Sequence, residues 1–137
     1  SKEFQTFSNK ILEISHPANF EAEFPAPKGE ITFSMELKGY RADCTIRIDA
    51  FPAKGLTAEK VFEQNSKFYK KTAQGQTTID GAKALYLDYV PTKGIESRVY
   101  FLVKNNTVYR VIANYYQPLK KDFAPVFQKT VASLKVH

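Results

Sequence analysis

Alternation of apolar and polar side chains at period two dominates the chain and gives way twice to helical spacing. At residues 10–15, the apolar positions Ile11, Leu12 and Ile14 predict a first short strand, which His16-Pro17 stops because the residue before proline is conformationally restricted. Residues 20–24 set Phe20, Ala22 and Phe24 against Glu21 and Glu23, the pattern of a strand with one buried face. Pro25, Pro27 and Gly29 close it. Residues 31–37 place Ile31, Phe33, Met35 and Leu37 on one side. Residues 43–51 do the same with Cys44, Ile46, Ile48 and Ala50, and a turn between Lys38 and Ala42, containing Gly39, pairs the two segments as a hairpin.

After Pro52 and Gly55 the period changes. Thr57 caps a helix through its hydroxyl; Ala58, Val61, Phe62, Phe68 and Tyr69 recur at steps of three and four, with Glu63 and Lys67 as an i,i+4 pair, and the helix ends near Thr72. Extended segments follow at residues 76–79, 83–90, 97–104 and 107–116. Asn105-Asn106 supplies turn chemistry between the last two, because Asn tolerates positive φ. Both alternating faces of these strands are apolar, Val99, Phe101 and Val103 against Tyr100 and Leu102, so the sheet is expected to be covered on both sides. A second helix, capped by Asp122 with Pro125 in its first turn, carries Phe123, Val126, Phe127, Val131 and Leu134 on its apolar stripe. The expectation is an α+β fold: an αβα sandwich with a central, mostly antiparallel sheet of six to seven strands and two main helices.

Composition narrows the classes. The 137 residues carry ordinary apolar and charged fractions and no repeat or linker, so one domain over residues 1–137 is expected, with no segment apolar enough to span a bilayer. A lone cysteine, Cys44, excludes an internal disulfide. The net charge of +6 favours acidic partners, but only Lys70-Lys71 and Lys120-Lys121 are adjacent, and no polybasic arm exists. The chain begins at Ser1 without methionine, as it would after removal of a leader.

Four short stretches carry a resemblance. They are Ile14-Ser15-His16-Pro17-Ala18-Asn19-Phe20, the turn Ile79-Asp80-Gly81-Ala82-Lys83-Ala84, Val108-Tyr109-Arg110-Val111 after a polar turn, and Val131-Ala132-Ser133-Leu134-Lys135. In this order the chain resembles the PsbP-like family, which includes PsbP and the DcrB-type envelope lipoproteins. The resemblance implies an αβα sandwich, an extracytoplasmic, bacterial setting in the periplasm or at the membrane through a leader absent from this sequence, and no cofactor. Any membrane association would come only through that removed N-terminal anchor. A function carried by fold alone is an analogy.

Catalytic readings find little material. A triad or zinc site needs bases and ligands, and the chain has two histidines, His16 in a turn and His137 at its end, with Cys44 on an apolar strand face. Asp43 and Asp49 flank Arg47 as an ion-pair lattice rather than a calcium loop, and Gly75, Gly81 and Gly94 are isolated turn residues rather than a phosphate loop. No enzymatic activity, cofactor or metal is expected. The constellation that remains is Tyr86, Arg98, Tyr100, Tyr109, Arg110, Tyr115 and Tyr116 on the late strands. Tyr and Arg are favoured at interfaces, and several on one face would form a binding platform; packing beneath the helices is the alternative. The expected function is a non-catalytic accessory or binding module that contacts an unidentified protein at the cell envelope. Nucleic-acid or small-ligand binding through the same Tyr/Arg face is the alternative, with nucleic acid the less favoured partner.

Overall fold

Strands with two apolar faces need cover on both sides, and the computed structural model, which describes residues 3–39 and 41–137, supplies it. In chain order the elements are β1 (Phe4–Ser8), β2 (Leu12–Pro17), β3 (Glu21–Glu23), β4 (Phe33–Lys38), β5 (Thr45–Pro52), α1 (Ala58–Ser66), β6 (Ala73–Ile79), β7 (Ala82–Thr92), β8 (Ile95–Lys104), β9 (Thr107–Tyr116), α2 (Lys120–Ala132) and β10 (Lys135–Val136). A seven-stranded antiparallel sheet runs β3-β4-β5-β9-β8-β7-β6, and a smaller one runs β1-β2-β10. The architecture is an α+β sandwich with helices on opposite faces of the large sheet.

Alternation sorts the core into two layers. Val99 and Phe101 of β8 point to one face, where Leu87, Val108 and Val61 of α1 enclose them. Tyr100 and Leu102 point to the other, where they join Met35, Ile46, Ile48 and Val111 beneath Phe123, Phe127 and Val131 of α2. Leu12 and Ile14 of β2 pack into this second layer, so the small sheet extends the α2 side. The hairpin turns fit their residues: Asn105 and Asn106 sit at φ 54° and 55°, the double positive φ of a turn whose twist matches its strands.

Several boundaries differ from the sequence expectation. β1 and β10 were not expected at all. β2 runs through His16 and Pro17 instead of stopping there, because Pro17 lies at the end of the ladder opposite Phe4. Only Phe20 of the residues 20–24 pattern is buried; Phe24 is 51% exposed and rests against Phe7, 5.3 Å between ring centroids. The turn expected between Lys38 and Ala42 lies partly outside the described residues. Thr57 caps α1 as expected, accepting from the Lys60 N–H at 3.2 Å. The helix then ends at Ser66 rather than near Thr72, since the Phe68 and Tyr69 N–H groups bond three residues back, to Asn65 and Ser66 at 3.1 Å, and tighten the last turn. Tyr69 thereby reaches Tyr89, 4.9 Å between centroids, and Phe68 is left 83% exposed. Glu63 pairs with Lys60 at 3.5 Å. α2 begins at Lys120, after a 3-10 turn over Gln117–Leu119, with Asp122 in its first turn rather than at its cap and Pro125 inside the helix.

Candidate functional site

Antiparallel pairing of β7 with β8 sets Tyr86 opposite Tyr100 and Asp88 opposite Arg98. All four point toward α2. The Arg98 guanidinium donates to both Asp88 oxygens, Nε to Oδ1 at 2.7 Å and Nη2 to Oδ2 at 3.1 Å, a bidentate geometry that fixes its plane. That plane lies 4.1 Å from the Tyr86 ring centroid, and the Tyr86 and Tyr100 rings are 5.6 Å apart. Above the stack, β6 and α2 stand apart and leave a cleft of about 300 Å³, lined by Gln76, Thr77 and Thr78 from the edge strand and Gln128 from the helix. A second, narrower space of about 40 Å³, also lined by Arg98, Tyr100 and Gln128, lies against Tyr115, Lys120 and Phe127.

Gly75 shapes this cleft. A Cβ there would lie 2.5 Å from the Tyr86 hydroxyl, so the bare backbone allows the phenol to lie against β6. The charges around the cleft are already paired: Asp88 raises the Arg98 pKa, and Lys120 Nζ reaches Glu96 at 3.0 Å. Burial pushes up the Tyr100 phenol, and burial with the neighbouring Glu96 carboxylate pushes up that of Tyr115. What remains for a ligand is the exposed side of the Tyr86/Arg98 stack, the Thr77 hydroxyl on the same face and the Gln128 amide, while Gln76 and Thr78, opposite Leu85 and Lys83, alternate to the α1 side.

The structure brings together Tyr86, Arg98, Tyr100 and Tyr115 of the sequence-selected residues and separates Tyr109, Arg110 and Tyr116, the last of which lies under the Arg41 guanidinium at 4.1 Å. Tyr100, Tyr109 and Tyr115 are buried, so α2 has converted the flat platform into a covered cleft. Tyr109 shares their face but lies farther along β9, opposite Leu102 and Ala50. Arg110 points to the α1 side, where its Nη2 donates to Asp49 at 2.9 Å. Asp49, 1% exposed, also accepts from Ser34 Oγ at 2.6 Å and Arg47 Nε at 3.1 Å, while Asp43 pairs with Arg41 instead of completing the lattice with Arg47. Gln76, Thr77, Thr78 and Gln128 carried no sequence signal, since ordinary polar residues on an edge strand and a helix form no motif. Among the described residues, no group of three His, Cys, Asp or Glu side chains is placed to hold a metal ion, and no helix is long and apolar enough to cross a membrane.

The arrangement of helices and strands is shared with known structures. The solution structure of cyanobacterial PsbP (CyanoP) from Synechocystis sp. PCC 6803 matches with a TM-score of 0.66 over 98% of this chain and 92% of that one. The fold is PsbP-like. A protein from Bacteroides thetaiotaomicron VPI-5482 gives a TM-score of 0.62 over 92% of this chain and 45% of that one. Sequence identities of 9% and 12% make this a likeness of fold alone. No protein-family model matches the sequence, and no curated protein matches it either.

Proposed function

We propose that this PsbP-like sandwich is a non-catalytic extracytoplasmic accessory module that makes a protein contact at the cell envelope through the cleft beside α2. The observation that carries the reading is the Tyr86/Arg98 stack, a rigid aromatic and cationic surface braced by Asp88 and opening into a cleft. Tyr and Arg held in fixed rotamers give up little entropy on binding, which is why such residues anchor interfaces. The PsbP-like fold supports the accessory role by analogy.

A photo-cross-linking amino acid in place of Gln128, introduced in the full-length protein in its native cell, tests this. Cross-linking to a discrete protein, recovered from the envelope fraction and missing when the probe sits at Lys54 on a distant turn, is the expected result. Cross-linking to none, or a cytosolic full-length product, would refute the proposal. A second reading follows from the cleft's size, at the lower end of the range for small-molecule sites. Thermal stabilisation by a small metabolite, lost in Tyr86→Ala, would favour it.

A further inference from the structure

The last strand of the large sheet is open. β6 pairs with β7 alone, and its outer row of N–H and C=O groups faces away from the sheet. Its seven residues contain no charge and no proline, and apart from Gly75 and Ile79 they are exposed. The opposite edge is built differently: β3 has three residues, two of them Glu21 and Glu23, and Pro25 follows closely. Short length, charge and proline are the devices that keep a sheet edge from pairing with another chain. β3 uses all three and β6 uses none, which marks β6 as an edge built to be covered.

Two further observations say by what. The cleft lies directly beside β6, so a strand added there would send alternate side chains to the α2 face that carries the cleft and Gln128. The segment that leads into β6 is basic. Residues 64–79 contain Lys67, Lys70 and Lys71 and no carboxylate, and among the described residues Lys67 and Lys70 have no ion-pair partner. Phe68, 83% exposed, projects from the same segment. A second copy carries the same net charge of +6 and would be repelled on approach, whereas an acidic strand would be attracted to the three lysines.

We propose that β6 receives an extended, acidic segment of a partner protein as an added strand, pairing along residues 74–78 with carboxylates against Lys67, Lys70 and Lys71. This rests on the protein-contact reading above and names the partner's chemistry. The test is selection of a displayed library of short random peptides on the folded protein, followed by amide hydrogen exchange with the best peptide. Enrichment of acidic, β-prone peptides that slow exchange at residues 74–78 is expected. Alternate N-methylation of the peptide backbone, which removes strand pairing and keeps the charges, should abolish that protection. Lys70→Glu with Lys71→Glu should weaken binding about tenfold.

Enrichment of basic or purely apolar peptides, or of none, would overturn the inference. So would a peptide that perturbs Gln128 and leaves exchange at residues 74–78 unchanged, although that result would leave the contact role of the cleft standing. Concentration-dependent dimerisation that protects β6 without any peptide would overturn it in favour of self-pairing.

Discussion

Replacing Asp49 by alanine probes the most deeply buried carboxylate among the described residues. Its oxygens accept from Ser34, Arg47 and Arg110, all reached from the α1 face of β4, β5 and β9. Removing one partner of a buried ion pair costs about 3–5 kcal/mol, because the remaining charge is stranded. Here the Arg47 and Arg110 side chains are 35% and 22% exposed and recover part of their hydration, which reduces the expected loss to about 2–3 kcal/mol. Urea unfolding should show the midpoint of Asp49→Ala lowered by about 1–2 M at unchanged slope. A double-mutant cycle with Arg110→Met should return a coupling of about 1–2 kcal/mol. The pH dependence has a fixed sign. The arginines and Ser34 hold the Asp49 carboxyl below its usual range against the opposing effect of burial, so its contribution is complete above the unfolded value of about 3.9 and disappears as pH falls through the lower folded one. The stability gap between the native protein and Asp49→Asn should therefore narrow on acidification below about pH 4. A loss under about 0.5 kcal/mol, no coupling, or a gap that widens in acid would refute the reasoning.

Three further outcomes are expected. Gly75→Ala should displace the Tyr86 phenol and unstack Arg98; overpacking of this kind costs about 1 kcal/mol, seen as a lower urea midpoint together with shifted Arg98 side-chain resonances. Asp80→Ala should cost about 1–2 kcal/mol by equilibrium unfolding, since Asp80 sits at φ 50° in the β6–β7 turn, accepts the Val136 N–H at 3.0 Å and binds Lys104 Nζ at 2.8 Å. Asp80→Asn, which tolerates that φ, should lose less. Cys44 is buried and its thiol pKa is raised, first by desolvation, so a disulfide reagent at neutral pH should label it slowly in the native protein and completely in denaturant.

The large sheet was legible because period-two alternation over β4, β5, β8 and β9 is long and regular, and because the Asn105-Asn106 turn has a specific conformational demand. What escaped was written in short or aperiodic segments. β1 places Phe4 and Phe7 three residues apart, so no alternation marks it, and β10 is two residues long. Phe68 read as part of a helical stripe because spacing alone cannot show where backbone bonds tighten and the helix stops. At the candidate site, Tyr86, Arg98, Tyr100 and Tyr115, selected by residue type, lie near one another on the late strands. Grouping by residue type put Tyr109 and Arg110 together, although consecutive residues of a strand face opposite sides. The cleft itself depends on how far α2 stands from β6, a tertiary distance that no local pattern encodes.

The contact role of the cleft is tested most directly by measuring cross-linking and stability together in Tyr86→Leu and Arg98→Met, with the photo-probe at Gln128. Yield should fall at least severalfold while the protein stays folded, the urea midpoint corresponding to a loss of about 1 kcal/mol for Tyr86→Leu and of about 2 kcal/mol for Arg98→Met, which leaves the Asp88 carboxylate without its partner. Undiminished cross-linking beside a much larger stability loss would mean that the stack serves packing, and the account would be contradicted.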